Sequence, residues 1–491
     1  MNPNPNPEWA PPISVLGVPF DNVTTAQTLS LFQDMIASRK PHYVATANVD
    51  FVVQATHDIE LRRILNDAHL VLCDGMPLVW ASKLLGNPLP ERVAGSDLVP
   101  LLLAQAEKLG HRVFFLGGQE DIAAKAIANI RERHPNLQIA GVMSPPFATL
   151  LEMDHAGICK AVRDSRADIL LVSFGCPKQE KWISMNYRAL GVPVCMGVGA
   201  TIDFLAGAVQ RAPVWMQRVG MEWVFRLAQE PRRLLNRYFT DMLVFGAGIM
   251  RQILRLSGSA NYGSNKLLFE NIGNVLVVEL PEKFDTESVC TNPEEWKKII
   301  AAGKSTVLLG HRVNFADSTA IAMLARVAKD LRVNGHHMVV AEPSVAMWHA
   351  LEVMHVDAVM DVCSRLKEAI KVIQKRESEE SVSLSGHGTG TPNVINWQGE
   401  VTAGNATEIW NQTEQILAAT VRSGCRSLKI DLSTVRFVDS TGVGLMVRAK
   451  KQCTARGIDI RFERPSKAAS SVIHTLRMES FLLGNTPALP A

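Results

Sequence analysis

The chain has 491 residues, a net charge of +3, and 47% hydrophobic against 20% charged residues. That length is too great for one ordinary domain and suggests about three, while the composition is globular and the near-balanced charge excludes a global nucleic-acid-binding surface. The eight cysteines are scattered without a CxxC pair, which excludes a zinc or disulfide framework and fits a reducing cytosol.

From the N-terminus, Met1 to Pro7 is polar and proline-rich and lacks the features of a secretion signal. No apolar run reaches the roughly 18 residues of a spanning helix. The nearest, Val192 to Val209, is glycine-rich and carries Asp203. From residue 13 to about 210, short apolar runs alternate with helical patterns. Strands are predicted at Ile13–Leu16, His42–Ala45, His69–Leu72, Val113–Leu116, Ile169–Val172 and Val194–Gly197, with amphipathic stretches such as Ala123–Arg133 between them. This alternation predicts βα units, and so a mainly parallel Rossmann-like sheet with helices on both faces. Ligands of such sheets bind just past the carboxyl ends of the strands. Thr46-Ala47-Asn48 and Cys73-Asp74-Gly75-Met76-Pro77 stand at two of those ends.

Further along come Pro90 to Asp97, Val113 to Gly118, Phe174 to Trp182 and Gly197 to Phe204. Arg211-Ala212-Pro213, Glu222-Trp223 and Gln229 to Arg233 close the series. In this order the motifs resemble the WecG/TagA/CpsF family of bacterial glycosyltransferases (glycosyltransferase family 26), over about residues 13 to 240. The resemblance implies an inverting transfer of a sugar from a UDP-sugar to an undecaprenyl-diphosphate-linked sugar. The place would be the inner face of the bacterial plasma membrane, with the protein peripheral to it, in surface polysaccharide synthesis. Donors in the family include N-acetylmannosamine, its uronic acid and glucose.

Such chemistry needs a base for the acceptor hydroxyl, stabilisation of the leaving diphosphate and alignment of both sugars. Asp74 reads as that base, or as a cap of the following helix. Thr46 and Asn48 read as hydrogen-bonding partners of sugar hydroxyls, or as loop caps. Arg92 offers a guanidinium fork to phosphate, with Asp97 placed to orient it. Gly117 and Gly118 follow a strand and precede a helix, where backbone can approach a nucleotide. Gly175, Lys178 and Gln179 form a second such loop, in which Gln179 is placed for the donor sugar or uracil. Asp203 follows a third strand, at the nucleotide end by resemblance or as another helix cap. No GxGxxG stands here, so an NAD-dependent reading has little support. No Asp-x-Asp stands at a strand end and no histidine spacing suits a metal, so neither metal nor other cofactor is expected.

From Arg218 to Leu256 the pattern is helical, with aromatics interleaved with arginines such as Arg218, Arg232 and Arg233. It reads either as membrane-docking helices, with Arg211 and these arginines over the acceptor diphosphate, or as a helical cap on the core. The first domain is thus set at 13–255, with 218–255 as the docking part. Leu256–Ser264 and Glu377–Pro392 read as linkers.

The segments that follow these linkers, 267–375 and 393–487, form an internal repeat. Asp317-Ser318-Thr319 matches Asp439-Ser440-Thr441, and Pro343-Ser344 matches Pro465-Ser466, at one offset of 122 residues. The second copy resembles a STAS domain, the fold of anti-sigma-factor antagonists. The first is degenerate, with Leu309 for Asp431 and Ala320 for Gly442. In that family the serine of this motif is phosphorylated by a partner kinase. Ser440 is therefore the phosphorylation candidate, with a helix cap as its other reading. The expected whole is a membrane-associated transferase with a separable STAS pair that binds a protein partner, and with homo-oligomerisation open. A non-catalytic scaffold acting through the STAS copies is the competing reading.

Overall fold

The structure is a computed structural model that describes residues 10 to 484, apart from 210, 214, 217–220, 257–265, 357–359, 380–393 and 423–426. It opens on an antiparallel hairpin, β1 (Ile13–Val15) and β2 (Val18–Phe20), turned by Leu16 and Gly17, both at positive φ. The predicted first strand therefore does not join the main sheet. Then follow α1 (Thr25–Ser38), β3 (His42–Ala47), α2 (Val49–His57), α3 (Ile59–Asp67), β4 (Leu70–Cys73), α4 (Met76–Leu84), α5 (Gly95–Leu109) and β5 (Arg112–Gly117). The unit continues with α6 (Glu120–Arg133), β6 (Gln138–Met143), α7 (His155–Ser165), β7 (Ile169–Ser173), α8 (Lys178–Leu190), β8 (Val194–Gly197) and α9 (Thr201–Leu205).

Six of these strands form one parallel sheet in the order β4-β3-β8-β7-β5-β6. Its central strands are buried and mostly apolar, with polar residues such as His42, Thr46, Arg112 and Ser173 in the first or last two positions, because both faces are covered. Side chains alternate between two cores: Tyr43, Ala45, Leu170 and Cys195 face one, Val44, Leu171, Val194 and Met196 the other. β3 and β4 build one edge, and the chain then crosses through α4 and α5 to start the other side at β5. That reversal opens a crevice beyond the carboxyl ends of the strands.

Two helices, α10 (Glu222–Gln229) and α11 (Pro231–Leu256), lie over that crevice. The buried Gln252 side chain of α11 accepts from the Leu16 N–H at 3.0 Å and donates to the Ser14 carbonyl at 2.9 Å. The outer face of α11 leaves Leu235, Phe239, Leu243, Met250 and Leu254 exposed.

The first STAS copy is built on a five-stranded sheet and the second on three parallel strands. Their motifs do the same local work. Asp317 caps the helix Ser318–Val333 and Asp439 caps Ser440–Ala455, each accepting a backbone N–H three residues on, at 2.8 and 2.9 Å. Gly442 is needed because a Cβ there would stand 2.5 Å from the Val401 carbonyl oxygen.

The two linkers do not keep the STAS pair apart from the first domain, as the sequence had suggested. Both copies pack on α3. Lys329 of the first donates to the Ala68 carbonyl at 2.9 Å, and its Arg332 pairs with Asp67. In the second, Glu400 pairs with Arg63 at 2.5 Å, and the Arg63 guanidinium lies 4.3 Å from the Phe437 ring centre. Ser440 is fully buried against Glu60. Low apolar content in a linker fixes only the linker; whether the flanking domains touch depends on their facing surfaces.

Candidate active site

A cleft of about 1260 Å³ opens beyond the strand ends and is lined by Thr46, Asn48, Asp74, Arg92, Gly117, Gly118, Gly175, Lys178, Gln179 and Asp203. Residues spread over some 160 positions of sequence thus meet at one place because parallel strands bring their carboxyl ends to one rim.

Asp74 stands directly after β4, its backbone N–H donating to the Ala47 carbonyl at 2.9 Å. It does not cap α4, whose N-cap is Gly75 and has no side-chain cap bond. Burial pushes the Asp74 carboxyl up to about 6, against the pull of Arg92 and Arg226. Nearby Glu222 adds to the rise. Ionisation near neutral pH with two guanidinium groups close by suits a general base next to a site of developing negative charge.

Arg92 is half-buried and held by carboxylates on two sides, Asp97 at 2.5 Å and Glu222 at 2.8 Å. Asp97 also takes Arg211 at 2.7 Å, so Arg211 stands behind Arg92 in the network. Arg232 is exposed in the first turn of α11. Arg218 and the Arg233 side chain lie outside the described residues.

Thr46 is buried and donates to the Gly197 carbonyl at 3.0 Å, which ties β3 to β8 at the cleft floor. Asn48 caps α2, its side-chain oxygen accepting from the Phe51 N–H at 3.2 Å. The capping reading therefore describes this residue, although it also lines the cleft.

Gln179 is almost wholly buried. Its Oε1 accepts from the Gly175 N–H at 3.2 Å and the Gly199 N–H at 3.1 Å, and its Nε2 donates to Glu180 Oε1 at 2.7 Å. Gln179 lines the cleft, where contact with donor sugar or uracil was expected, and its amide also holds the loops after β7 and β8 together. Burial pushes Glu180 itself up to about 8. Gly117 turns at φ +103, and a Cβ there would stand 2.4 Å from the Ser173 carbonyl oxygen, so only glycine fits. Lys178 donates to the Ala148 carbonyl at 2.5 Å and lies 5.4 Å from the ring centres of Phe147 and Phe174. Asp203 stands in the first turn of α9 rather than at its N-cap, Ala200.

Sequence reasoning missed the inward side of the helical appendage. Glu222, Trp223 and Arg226 of α10 and Arg237, Tyr238, Asp241, Met242 and Phe245 of α11 line the same cleft. The Arg226 guanidinium lies 4.8 Å from the Phe204 ring centre, and Arg237 lies 3.8 Å from Asp50. The interleaved arginines and aromatics were visible, but periodicity does not say which of them turn inward.

Comparison with known proteins bears on this geometry. The family model described as Glycosyl transferase WecG/TagA/CpsF family matches residues 13–259. A STAS domain model matches 266–369, and one described as Mlab, STAS domain, matches 384–484. The first copy, expected to resemble a STAS domain mainly through its repeat partner, thus matches in its own right. An N-acetylglucosaminyldiphosphoundecaprenol N-acetyl-beta-D-mannosaminyltransferase of Staphylococcus aureus (strain MW2) is 29% identical over 224 residues, covering 45% of this chain and 86% of that protein. The enzyme of the same name from strain NCTC 8325 / PS 47 is similar to the same extent. Among solved structures, an anti-sigma-factor antagonist (STAS) domain protein from Planctomyces limnophilus is 19% identical, covering 22% of this chain and 97% of that one, with a TM-score of 0.20.

Proposed function

The chain belongs to the WecG/TagA/CpsF family of glycosyl transferases, and on that premise we propose that it moves a sugar from a UDP-sugar to the sugar of an undecaprenyl-diphosphate-linked acceptor. The observation that carries this reading is the Asp74 carboxylate at a strand end, with Arg92 and Arg226 beside it. Asp74 takes the proton of the acceptor hydroxyl. The hydroxyl oxygen attacks the anomeric carbon, the bond from that carbon to the diphosphate oxygen breaks, and the electron pair leaves with UDP. One displacement inverts the anomeric centre. Arg92 and Arg226 receive the charge that develops on the diphosphate, so no divalent metal is needed. Gly117, Gly118 and the N-terminus of α6 form the seat for the nucleotide.

The names of the relatives make UDP-N-acetylmannosamine the first donor to try and a lipid-diphosphate N-acetylglucosamine the first acceptor. No helix among the described residues is long and apolar enough to cross a membrane. The protein would meet a lipid-linked acceptor peripherally, through the exposed apolar face of α11. Pro77, Trp80 and Leu84 of α4 share one helix face, which leads from the cleft to the outside where Trp80 and Leu84 are exposed. A protein partner of the STAS copies, or a kinase acting on Ser440, would have to separate Ser440 from Glu60 first. The test is incubation with a panel of UDP-sugars and the lipid-diphosphate acceptor, scoring UDP release with and without EDTA. Acceptor-dependent UDP release that survives EDTA supports the reading; its absence with every donor removes it.

A further inference from the structure

We propose that Ser440 of the second STAS copy is a positioning residue for the transfer reaction. It acts through Glu60 and Lys181 on the helix that ties the two glycine loops of the cleft. The inference rests on the transferase reading, and its experiment includes a measurement that needs no turnover.

The connection is continuous and buried. The Ser440 N–H donates to Glu60 Oε1 at 2.5 Å and its hydroxyl to Glu60 Oε2 at 2.8 Å. Glu60 Oε2 also lies 2.8 Å from Lys181 Nζ, which takes Asp58 as its second carboxylate at 2.7 Å. Ser440, Glu60 and Lys181 are 0, 2 and 3% exposed, so water cannot replace a lost partner. Lys181 sits in the first turn of α8, two residues after Gln179. That glutamine holds the Gly175 and Gly199 amides, and both loops line the cleft.

Each link has a physical reason. A helix N-terminus favours a carboxylate, and here Ser440 adds a hydroxyl donor to it. Glu60 is thereby shared between the helix Ser440–Ala455 and Lys181. With one donor removed, the buried carboxylate must lean on Lys181 and its remaining partner. Close packing then passes a small displacement of Lys181 to the α8 terminus, and so to the Gln179 amide.

The first STAS copy supplies an internal control. It docks through the same motif, but with Thr319 accepting from Asn87 Nδ2 at 3.1 Å. Asn87 lies beyond α4, and its side-chain oxygen accepts from Asn22 Nδ2 at 3.2 Å. Neither Asn87 nor Asn22 lines the cleft. Of these two motif contacts, that of the second copy leads to the loops and that of the first does not.

The experiment uses the full chain with Ser440→Ala, Ser440→Thr and Thr319→Val. Hydrogen exchange of the Gly175 and Gly199 amides is measured first, then donor KM and kcat with the UDP-sugar found active. One hydrogen bond to a charged group corresponds to about a tenfold change in an opening equilibrium. Ser440→Ala should therefore speed exchange of both amides by about that factor and raise donor KM more than it lowers kcat. Ser440→Thr keeps the hydroxyl and should restore both; Thr319→Val should change neither. Wild-type exchange at Gly175 and Gly199 in folded Ser440→Ala overturns the proposal, as does an equal effect of Thr319→Val. If no donor supports turnover, the transferase reading fails, while the exchange data still decide the relay.

Discussion

Replacing Asp74 by asparagine keeps the shape of the side chain and removes its basicity. The rate should fall by about a hundredfold or more while UDP binding is retained. Because the folded environment raises the Asp74 carboxyl from 3.8 to about 6, the base is protonated below that pH. The kcat/KM of the wild type should therefore rise with pH through about 6 and level off above it. Glu222 raises this value and Arg226 lowers it. Glu222→Gln should shift the inflection down and Arg226→Gln should shift it up; shifts in the opposite sense would remove Asp74 as the titrating group. Asp74 was legible as a site residue because its motif stands at a predicted strand end, and Arg92 because Pro90 to Asp97 belongs to the motif series that carries the family resemblance. Capping by Asn48 stood among the readings of its motif, whereas the loop-tying work of Gln179 was not legible, since it depends on where neighbouring backbone amides point.

At the scale of elements, α11 has two working faces. Arg237, Asp241 and Phe245 line the cleft, while Leu235, Phe239 and Leu243 are exposed. The core-cap reading describes the cleft side of this helix, and the membrane-dock reading is our proposal for its exposed apolar side. Replacing Leu235, Phe239 and Leu243 by serine should reduce flotation with anionic liposomes and leave turnover of a short-chain acceptor close to wild type. Wild-type flotation should also fall as salt rises, because screening shortens charge attraction to about 10 Å at 0.1 M. Unchanged flotation of the triple variant would place the lipid contact elsewhere. The parallel strands were readable from their apolar runs, which double burial requires. The hairpin at β1 and β2 was not separable from them by pattern alone.

For the whole molecule, docking of the STAS pair on α3 changes what truncation should do. Ending the chain near residue 260 would uncover Glu60 and Arg63 on one helix. A lowered Tm is expected, and a Tm equal to that of the full chain would show that docking contributes nothing. Ser440→Asp sets a carboxylate against buried Glu60 and should open this interface, read as an increased radius of gyration in solution. Acid should weaken it too. Glu400 is depressed from 4.5 to about 2, an effect that Arg63 supplies against the cost of burial. Its stabilisation is complete above about 4.5 and is lost as pH falls through about 2. Arg63→Met should remove that acid-dependent part.

What the sequence determined by itself was whatever is local or repeated. Apolar runs set the strands, motif order set the family, and the 122-residue offset set the STAS duplication. Tertiary structure decided which side chains share a surface. It turned Glu222 and Arg226 towards Asp74, committed the Gln179 amide to two loops and buried Ser440 against Glu60. The physical reason is range. Backbone preference and periodicity act within a turn of helix or a strand, whereas the Ser440–Glu60 contact joins positions 380 residues apart and exists only once both domains have folded.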